Sequence, residues 1–453
     1  MMTPLPTEFM ATMRQALGAE AEELFAALDT EAITSIRLNP AKPAPTFDGD
    51  RVGWCEWGRY LNERPQFTLD PLLHAGAYYV QEAASQFVAH LLNGVDLKGR
   101  RILDMCAAPG GKSTIYSSLV GDNGLVVAND ISRSRALALA DNVQRWGMGN
   151  VIVTCNEPRH IGDFENWFDV VAVDAPCSGE GMFRKMEEAR NEWSPSAVNE
   201  CAARQREIVA EAWRALRPGG ILIYSTCTFN PSEDEGTVSW MNEAFSDELE
   251  SFGPIELLSE WGIVSNSIGA FQCFHFYPHK AKGEGLYAAI ARKCEGKQTR
   301  TTPKARRKVF SPLQKSDIKE VANWINPEYN IEFRMVGDTI YGYNKEVVND
   351  VTHLSEVLNV LYSGVAMGQI FKGRLKPEHS LALFVGYNEN ATHSTEVELD
   401  VALNYLRRHD IDASLFADGI NRVMYKGVAI GFVKRIGQRC NNMYPKELRI
   451  LNL

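Results

Sequence analysis

The sequence predicts an α/β fold in which short strands alternate with helices and form a buried parallel sheet. Three observations support this prediction: apolar runs recur along the chain, helix-compatible segments separate them, and a glycine-rich turn follows the first run. Strands that are covered on both faces read as continuous apolar runs rather than alternating ones. The expected strands are Arg101–Met105, Leu125–Asn129, Val151–Thr154, Asp169–Val173 and Ile221–Ser225, with helices at Ile131–Trp146 and Ala197–Leu216.

Length and composition limit the class of protein. The 453 residues exceed one ordinary hydrophobic core, and the chain is 45% hydrophobic and 23% charged, which is typical of globular proteins. The formal net charge of −10 argues against a surface coated with nucleic acid but leaves room for one basic face. No apolar run approaches the ~18 residues of a membrane span, so we expect no membrane partner. We also expect a cytoplasmic monomer.

The nine cysteines include no CxxC pair. This spacing fits neither a disulfide framework nor a zinc ribbon. We therefore expect reduced thiols and no metal site.

Shifts in composition divide the chain into five parts. We predict a small α+β unit over residues 1–75, the main α/β domain over 76–295, a connecting subdomain over 309–375 and a mixed α/β unit over 376–453. Between the main α/β domain and the connecting subdomain, residues 296–308 form a basic linker with almost nothing apolar to bury.

A small-residue turn between the first strand and its helix indicates a cofactor site. The segment Asp104–Lys112 reads DMCAAPGGK, and Ser113–Val120 is compatible with a helix. Small residues let a ligand approach the backbone, and a helix N-terminus attracts a carboxylate. Asp130, after the second strand, can accept hydrogen bonds from ribose hydroxyls. The turn matches neither GxxxxGK[ST] nor GxGxxG, so the pattern favours an adenosyl ligand that ends in an amino acid, namely S-adenosylmethionine.

Two cysteines follow strands that we expect to be neighbours. Cys177 lies in the segment DAPCSG after the fourth strand, and Cys227 lies in STCT after the fifth. In an open parallel sheet, ligands bind at this carboxyl edge. A thiolate that adds to carbon 6 of a pyrimidine makes carbon 5 nucleophilic, and a second thiol can assist release as acid or base. The residues alone leave open which cysteine attacks, and Asp174 is a candidate for recognising the cytosine edge.

At these motifs the chain resembles the Sun-type family of RNA cytosine-5 methyltransferases. The similarity includes Ser35–Pro40 before the main domain, Tyr79–Ser85 at its start, and Phe276–Lys280 with Gly283–Gly285 near its end. It implies a Rossmann-like methyltransferase sheet that uses S-adenosylmethionine. It also implies that Cys227 attacks the base, that Cys177 assists release, and that residues 1–75 bind RNA.

The resemblance further implies which residues line the cofactor. A contact is also expected after the third strand, where the family commonly has Asp and this chain has Glu157, whose longer side chain would have to fold back. The expected cofactor contacts are Cys106, Ala107, Ala108, Pro109, Gly110, Gly111, Lys112, Asp130, Glu157 and Asp174.

The C-terminal Tyr444–Arg449 is similar to the tail of bacterial members that modify 16S ribosomal RNA, where it belongs to a PUA-like RNA-binding domain. We therefore expect ribosomal RNA, or the small ribosomal subunit, as the partner. Transfer RNA and a noncatalytic assembly factor are the alternatives. A dinucleotide oxidoreductase is disfavoured because GxGxxG is missing. We expect a basic track for RNA that comprises Arg184, Lys185, residues 297–308 of the linker, Lys426, Lys434, Arg435, Arg439 and Lys446.

Overall fold

A computed structural model describes residues 3–297 and 299–451. Met1, Met2, Asn452 and Leu453, at the ends of the predicted terminal units, and Gln298, in the predicted linker, lie outside the described residues.

The N-terminal unit is a three-stranded antiparallel sheet with flanking helices. Its strand order is β2-β1-β3. The elements are α1 Thr7–Leu17, α2 Ala21–Leu28, β1 Ser35–Leu38, β2 Gly58–Tyr60, α3 Pro71–His74 and β3 Tyr78–Val80.

The central part alternates strands and helices, as predicted, and ends in a β-hairpin. Its elements are α4 Val88–Leu91, β4 Arg101–Asp104, α5 Gly111–Val120, β5 Leu125–Asn129, α6 Arg133–Trp146, β6 Val151–Thr154, α7 Pro158–Gly162, β7 Phe168–Asp174, α8 Glu187–Glu192, α9 Pro195–Ala215, β8 Leu216–Thr226, α10 Glu235–Ala244, β9 Leu249–Glu250, β10 Val264–Ile268, β11 Phe271–Phe276 and β12 Leu286–Lys293.

The residues after position 308 form two further sheets. Their elements are α11 Lys315–Ala322, β13 Ile331–Val336, β14 Thr339–Asn344, α12 Val348–Val357, β15 Val360–Ser363, β16 Val365–Phe371, β17 Arg374–Pro377, α13 His379–Leu383, β18 His393–Glu396, α14 Leu399–Arg407, β19 Gly419–Tyr425, β20 Val428–Ile436 and β21 Arg439–Asn442. The strand orders are β13-β14-β16-β17 and β18-β19-β20-β21.

The ten-stranded central sheet has the order β10-β11-β12-β8-β7-β4-β5-β6-β15, with β9 paired to β12. Strands β8, β7, β4, β5 and β6 are parallel, and all residues of β5 and β6 are buried. The chain runs outward from β4 to β6 and then returns to place β7 on the other side of β4. This reversal creates a crevice at the carboxyl ends of the strands, where α/β proteins bind ligands.

Two features depart from the sequence predictions. The expected strand Ile221–Ser225 is longer in the structure, because β8 begins at Leu216 and its residues Arg217–Gly220 produce a shift in the pairing with β7. In addition, β15 lies within the predicted connecting subdomain yet pairs antiparallel with β6 at the edge of the central sheet. No sequence pattern reveals such a long-range edge pairing.

The N-terminal and C-terminal units share one hydrophobic core. Fully buried Ile36 and Tyr78 belong to the same cluster as Tyr405, Leu406 and Val423. Burial of each such large apolar side chain contributes about 1.5–3 kcal/mol. The two units therefore stabilise each other across a sequence separation of more than 300 residues. In the described part of the chain, no helix is long and apolar enough to cross a membrane.

Candidate active site

The two cysteines singled out in the sequence lie in contact. Because Asp174 pairs with Ser225 in the parallel ladder of β7 and β8, the loops that follow the two strands leave the sheet side by side. The Sγ atoms of Cys177 and Cys227 are 3.2 Å apart. All nine cysteines are free, so this contact joins two thiols and not a disulfide.

Asp174 is held at the end of β7 by a cation and a hydroxyl. Lys112 Nζ lies 2.7 Å from Asp174 Oδ1, and the hydroxyl of Ser225 donates to the same oxygen over 2.8 Å. Among the residues that the structure describes, no side chain bonds to Oδ2 of Asp174. That oxygen is therefore available to accept a hydrogen bond from a ligand.

A buried Glu–Gln pair holds the backbone on both sides of Cys177. Gln205 Nε2 donates to the carbonyl of Pro176 over 3.0 Å, and the N–H of Ser178 donates to Glu233 Oε2 over 3.0 Å. The same Nε2 also donates to Glu233 Oε2 over 2.8 Å. Glu233 and Gln205 are completely buried. We call this arrangement the Cys177 clamp, and the sequence analysis missed it because its members come from α9 and from the loop after β8.

A cavity of about 750 Å³ connects these groups to the ends of β4, β5 and β6. Seven of the predicted site residues line it, namely Cys106, Ala108, Asp130, Glu157, Asp174, Cys177 and Cys227. Sequence reasoning missed Asn129 at the end of β5, Ile131 and Arg135 after it, and Arg204, Glu207, Ile208 and Glu211 on α9. The side chain of Ile131 is 65% exposed and offers an apolar surface in a ligand cavity.

The remaining predicted cofactor residues shape the loop without lining the cavity. They are Ala107, Pro109, Gly110, Gly111 and Lys112, and Lys112 acts on the cavity through Asp174. Gly110 has a φ of 109°, a backbone conformation that favours glycine, and an added Cβ would lie 2.8 Å from Leu139 Cδ1.

The fully buried Arg37 of the N-terminal unit forms hydrogen bonds to the first turn of α5, which follows this loop. Its guanidinium donates to the carbonyl of Gly111 over 3.1 Å, to Thr114 Oγ1 over 2.6 Å and to Gln81 Oε1 over 2.8 Å. Burial lowers the pKa of Arg37 to about 10, so the group stays charged at neutral pH. The first turn of α5 is therefore attached to the N-terminal unit by the charged guanidinium of Arg37. We call this arrangement the Arg37 clamp.

Burial sets the protonation of the acids around the cavity. It raises the pKa of Asp104 to about 7, against the hydrogen bond from Ser113, and the pKa of Glu233 to about 7, against the hydrogen bonds from Ser178. Burial lowers the pKa of Lys112, but the charge and the hydrogen bond of Asp174 together outweigh it and raise the net value. The hydrogen bond with Cys227, together with burial, raises the pKa of Cys177 well above its ordinary value.

The two acidic residues expected to contact a ribose differ in their placement. Asp130 is almost fully buried at the end of β5, where Ser132 N donates to it over 2.9 Å and Arg135 lies 3.3 Å away. Glu157 borders the cavity, but half of its side chain is exposed and its carboxylate lies 2.8 Å from Arg159. Because Arg159 occupies Oε2 of Glu157, a cofactor contact by Glu157 would use Oε1 or displace this surface ion pair.

The expected basic track is partly wrong. Arg184 is buried, and its Nε lies 2.8 Å from Glu284 Oε2, so its charge is used inside the protein. In the linker, the guanidinium of Arg307 donates to the backbone carbonyls of Ser355 and Leu358. Lys426, Lys434, Arg439 and Lys446 are exposed.

Three family models match successive parts of the chain. They are described as the N-terminal domain of 16S rRNA methyltransferase RsmF, for residues 5–83, the 16S rRNA methyltransferase RsmB/F, for residues 90–292, and the methyltransferase RsmF PUA domain, for residues 392–450. A protein from Escherichia coli O157:H7 named ribosomal RNA small subunit methyltransferase F is 30% identical over 98% of this chain and 96% of its own length.

The chain belongs to the ribosomal RNA small subunit methyltransferase F family. A further relative with the same name, from Enterobacter sp. (strain 638), is 29% identical and covers 98% of this chain and 95% of its own length. The predicted resemblance, the methyltransferase class and the PUA-like C-terminal region are thereby confirmed, as is S-adenosylmethionine as the cofactor of the family.

Solved structures confirm the predicted fold class. A methyltransferase homologue from Pyrococcus horikoshii is 27% identical, covers 64% of this chain and 95% of its own, and gives a TM-score of 0.54. NSun6 from the same organism, solved with SFG, is 21% identical, covers 65% of this chain and 99% of its own, and gives 0.55. At this identity, the similarity to NSun6 shows only a shared fold.

The Arg37 clamp predicts a specific effect on cofactor binding. Replacing Arg37 with Lys keeps the charge but removes most of the hydrogen bonds under α5, each worth about 1 kcal/mol. We expect the dissociation constant for S-adenosylmethionine to rise roughly tenfold in calorimetric titrations. Arg59→Lys is the matched control, because Arg59 donates only to nearby backbone carbonyls. Equal cofactor affinity in the two variants would contradict a role of Arg37 at the loop.

Proposed function

We propose that this protein methylates carbon 5 of a cytosine in 16S ribosomal RNA through a covalent bond to Cys227. The observation that carries the proposal is the contact between two thiols, 3.2 Å apart, in a cavity that also contains Asp174. The names of the relatives support ribosomal RNA of the small subunit as the substrate.

The residues around the cavity fit S-adenosylmethionine. The small-residue loop after β4, from which Cys106 and Ala108 line the cavity, suits its amino-acid end, and Asp130 suits its ribose hydroxyls. Ile131 offers an apolar surface for the adenine ring. When bound, this cofactor supplies an electrophilic methyl group.

Covalent addition begins at Cys227. Its thiolate adds to carbon 6 of the cytosine and makes carbon 5 nucleophilic. The free Oδ2 of Asp174 accepts a hydrogen bond from the exocyclic amine of the cytosine, which holds this edge of the base in place while the thiolate adds. Since Lys112 neutralises the other oxygen of Asp174, the carboxylate does not repel the electron-rich base.

Release requires that the proton on carbon 5 leaves and that the bond between carbon 6 and sulfur breaks. Cys177 is the group that handles this proton, because its sulfur touches that of Cys227. The hydrogen bond with Cys227 and burial raise the pKa of Cys177, which makes its thiolate a strong base. Cys177 gives up its own proton to solvent before this step, accepts the carbon-5 proton as a thiolate, and Cys227 leaves carbon 6 as a thiolate. The two cysteines therefore have unequal roles: the sulfur of Cys227 bonds to carbon 6, and Cys177 takes up the carbon-5 proton.

RNA binding is assigned to the terminal units, which share one core. The exposed cations Lys426, Lys434, Arg439 and Lys446 provide phosphate contacts. Structured RNA is held by its backbone while a target base is splayed out into a pocket. The proposal includes a monomeric cytoplasmic enzyme without a metal.

The alternatives differ in what they require of the site. Transfer RNA would use the same cavity, but the relatives that match nearly the whole chain are named for the small ribosomal subunit. A noncatalytic assembly factor would not need two thiols in contact beside a cavity. We therefore favour an enzyme that acts on ribosomal RNA over both alternatives.

The substrate and the nucleophile can be tested together. We expect a strain without this gene to lack one 5-methylcytidine in its 16S ribosomal RNA, mapped by bisulfite sequencing. The wild-type gene restores the modification, whereas Cys227→Ala does not, although the variant still binds S-adenosylmethionine. A missing mark in transfer RNA instead, or restoration by Cys227→Ala, would overturn the proposal.

Replacing Cys177 separates attack from release. Cys177→Ala retains Cys227 but lacks the group that removes the proton, so the bond to RNA should persist. We expect a denaturant-resistant complex of protein and RNA on gels. The double variant Cys177→Ala, Cys227→Ala is the control and should form none. A Cys177→Ala protein that turns over and leaves no complex does not use Cys177 for release.

A weakened Cys177 clamp should cause a milder form of the release defect that we expect for Cys177→Ala. Glu233→Gln keeps an oxygen for the Ser178 N–H but loses the titratable carboxyl, and we expect the covalent complex to accumulate while first-turnover methylation persists. Glu235→Gln is the matched control, because Glu235 contacts His275 and not the Cys177 loop. A Glu233→Gln variant that resembles the control would exclude a role of the clamp in release.

The clamp also predicts a pH effect on stability. The folded-state pKa of Glu233 is about 7, above its ordinary value of 4.5, because burial disfavours the charged form. Its contribution to stability is present below pH 4.5 and is lost as pH rises through 7. The free energy of unfolding should therefore fall less in Glu233→Gln than in wild type across this range, measured by denaturant titration.

A further inference from the structure

The β-hairpin formed by β16 and β17 has an unusual tip. The two central residues of its turn, Lys372 and Gly373, both have positive φ, at 51° and 76°. Such turns strongly favour Asn, Asp or Gly at both positions. Lys372 therefore introduces backbone strain that a more suitable residue would avoid, and non-glycine residues held in this way concentrate at functional sites.

One face of this hairpin is exposed and carries an aromatic ring. Phe371 pairs with Arg374 and Gln369 pairs with Lys376, so these four side chains point to the same face. All four residues are exposed, and Phe371 is 66% exposed.

The opposite face anchors the hairpin. Leu375 is buried, and Leu375 and Ile370 pack in the cluster formed by the sheet β13-β14-β16-β17. The N–H of Leu375 donates to Glu320 Oε1 over 3.1 Å. The aromatic face thus projects from a fixed element and not from a loose loop.

The hairpin is positively charged, whereas the protein as a whole is negatively charged. Residues 369–376 contain Lys372, Arg374 and Lys376 and no acid, in a chain whose net charge is −10. None of these three cations forms an ion pair with a described residue, in contrast to Arg184. Lys372 Nζ lies 5.5 Å from the centre of the Phe371 ring.

A hairpin tip with a related backbone occurs in the C-terminal unit, where the aromatic residue, Tyr425, is buried. The tip between β19 and β20 reads Tyr425-Lys426-Gly427, and its Lys426 also has a positive φ, of 48°. The ammonium of Lys426 again lies 5.5 Å from the centre of the preceding ring. Two hairpins thus present a lysine beside an aromatic residue despite the backbone strain.

We propose that the exposed hairpin face of Phe371, Lys372, Arg374 and Lys376 binds structured RNA, with the ring stacked on an unpaired base and the cations on phosphates. Stacking and phosphate contact together are the means by which proteins hold RNA that they do not read by sequence. One exposed ring among three cations lacks the apolar core of a protein interface. The hairpin lies in residues 293–391, between the segments that the family models match. This inference rests on the proposed function, since it extends the path of the same RNA substrate.

The test measures the affinity for in vitro transcribed 16S ribosomal RNA as a function of salt, with the full-length protein. We expect the triple variant Lys372→Ala, Arg374→Ala, Lys376→Ala to bind at least about tenfold more weakly at low salt. Its slope of log affinity against log salt should be smaller by about two, because each lost phosphate contact removes roughly 0.7–0.9. Phe371→Ala should weaken binding about fivefold or more without changing the slope.

The matched control is Lys98→Ala, Lys315→Ala, Lys345→Ala, which removes the same charge from exposed positions outside the hairpin. Equal affinities and slopes in the two triple variants would overturn the inference. So would normal binding to purified RNA with weakened binding to assembled small subunits, which would indicate a protein partner. Cofactor binding and methylation by wild type are measured in parallel, and their failure would count against the proposed function instead.

Discussion

The contact between the sulfur atoms of Cys177 and Cys227 is the constraint on which the site depends. Two thiols on loops that lie 50 residues apart in sequence meet because β7 and β8 are parallel neighbours in a fixed register. A shift of that register would move one sulfur away from the other. The shift that does occur, at Arg217–Gly220, lies at the far end of β8, so pairing resumes before the cysteines.

Buried polar groups maintain this arrangement, and they also carry a cost. Glu233 and Gln205 hold the backbone around Cys177, and Arg37 holds the loop before α5. Buried charges and amides destabilise a protein unless their hydrogen bonds are satisfied. Here Glu233 relieves part of that cost because burial raises its pKa to about 7, which favours its neutral form. The site is therefore built at some expense of stability, as is common where catalytic groups must be placed accurately.

Much of the fold could be predicted because parallel strands carry a strong local signal. Val151–Thr154 and Leu125–Asn129 were predicted with the bounds that the structure has, since each is apolar throughout and ends at polar residues. The pairing of β15 with β6 could not be predicted, because an edge strand about 200 residues away leaves no local trace.

The candidate site shows the same difference between features with a local sequence signal and features that depend on long-range contacts. Cys177, Cys227, Asp174 and Asp130 were found because each follows a strand at the ligand-binding edge. Gln205 and Glu233 were missed because their role depends on which peptide groups they meet in space. Arg184 was taken for a surface cation, but its partner Glu284 is 100 residues away. Sequence reasoning could place residues in the cavity when their location follows from their position on a strand, and it missed residues whose contacts depend on a distant partner.

The most direct test of the central claim identifies the cysteine that attacks. RNA with 5-fluorocytidine at the target position cannot lose a proton from carbon 5, so the wild-type protein should remain bonded to it after methyl transfer. Digestion and mass spectrometry would then locate the bond, with both cysteines present to compete. The account predicts that the modified nucleotide is attached to Cys227. Attachment to Cys177, or no covalent product, would contradict it.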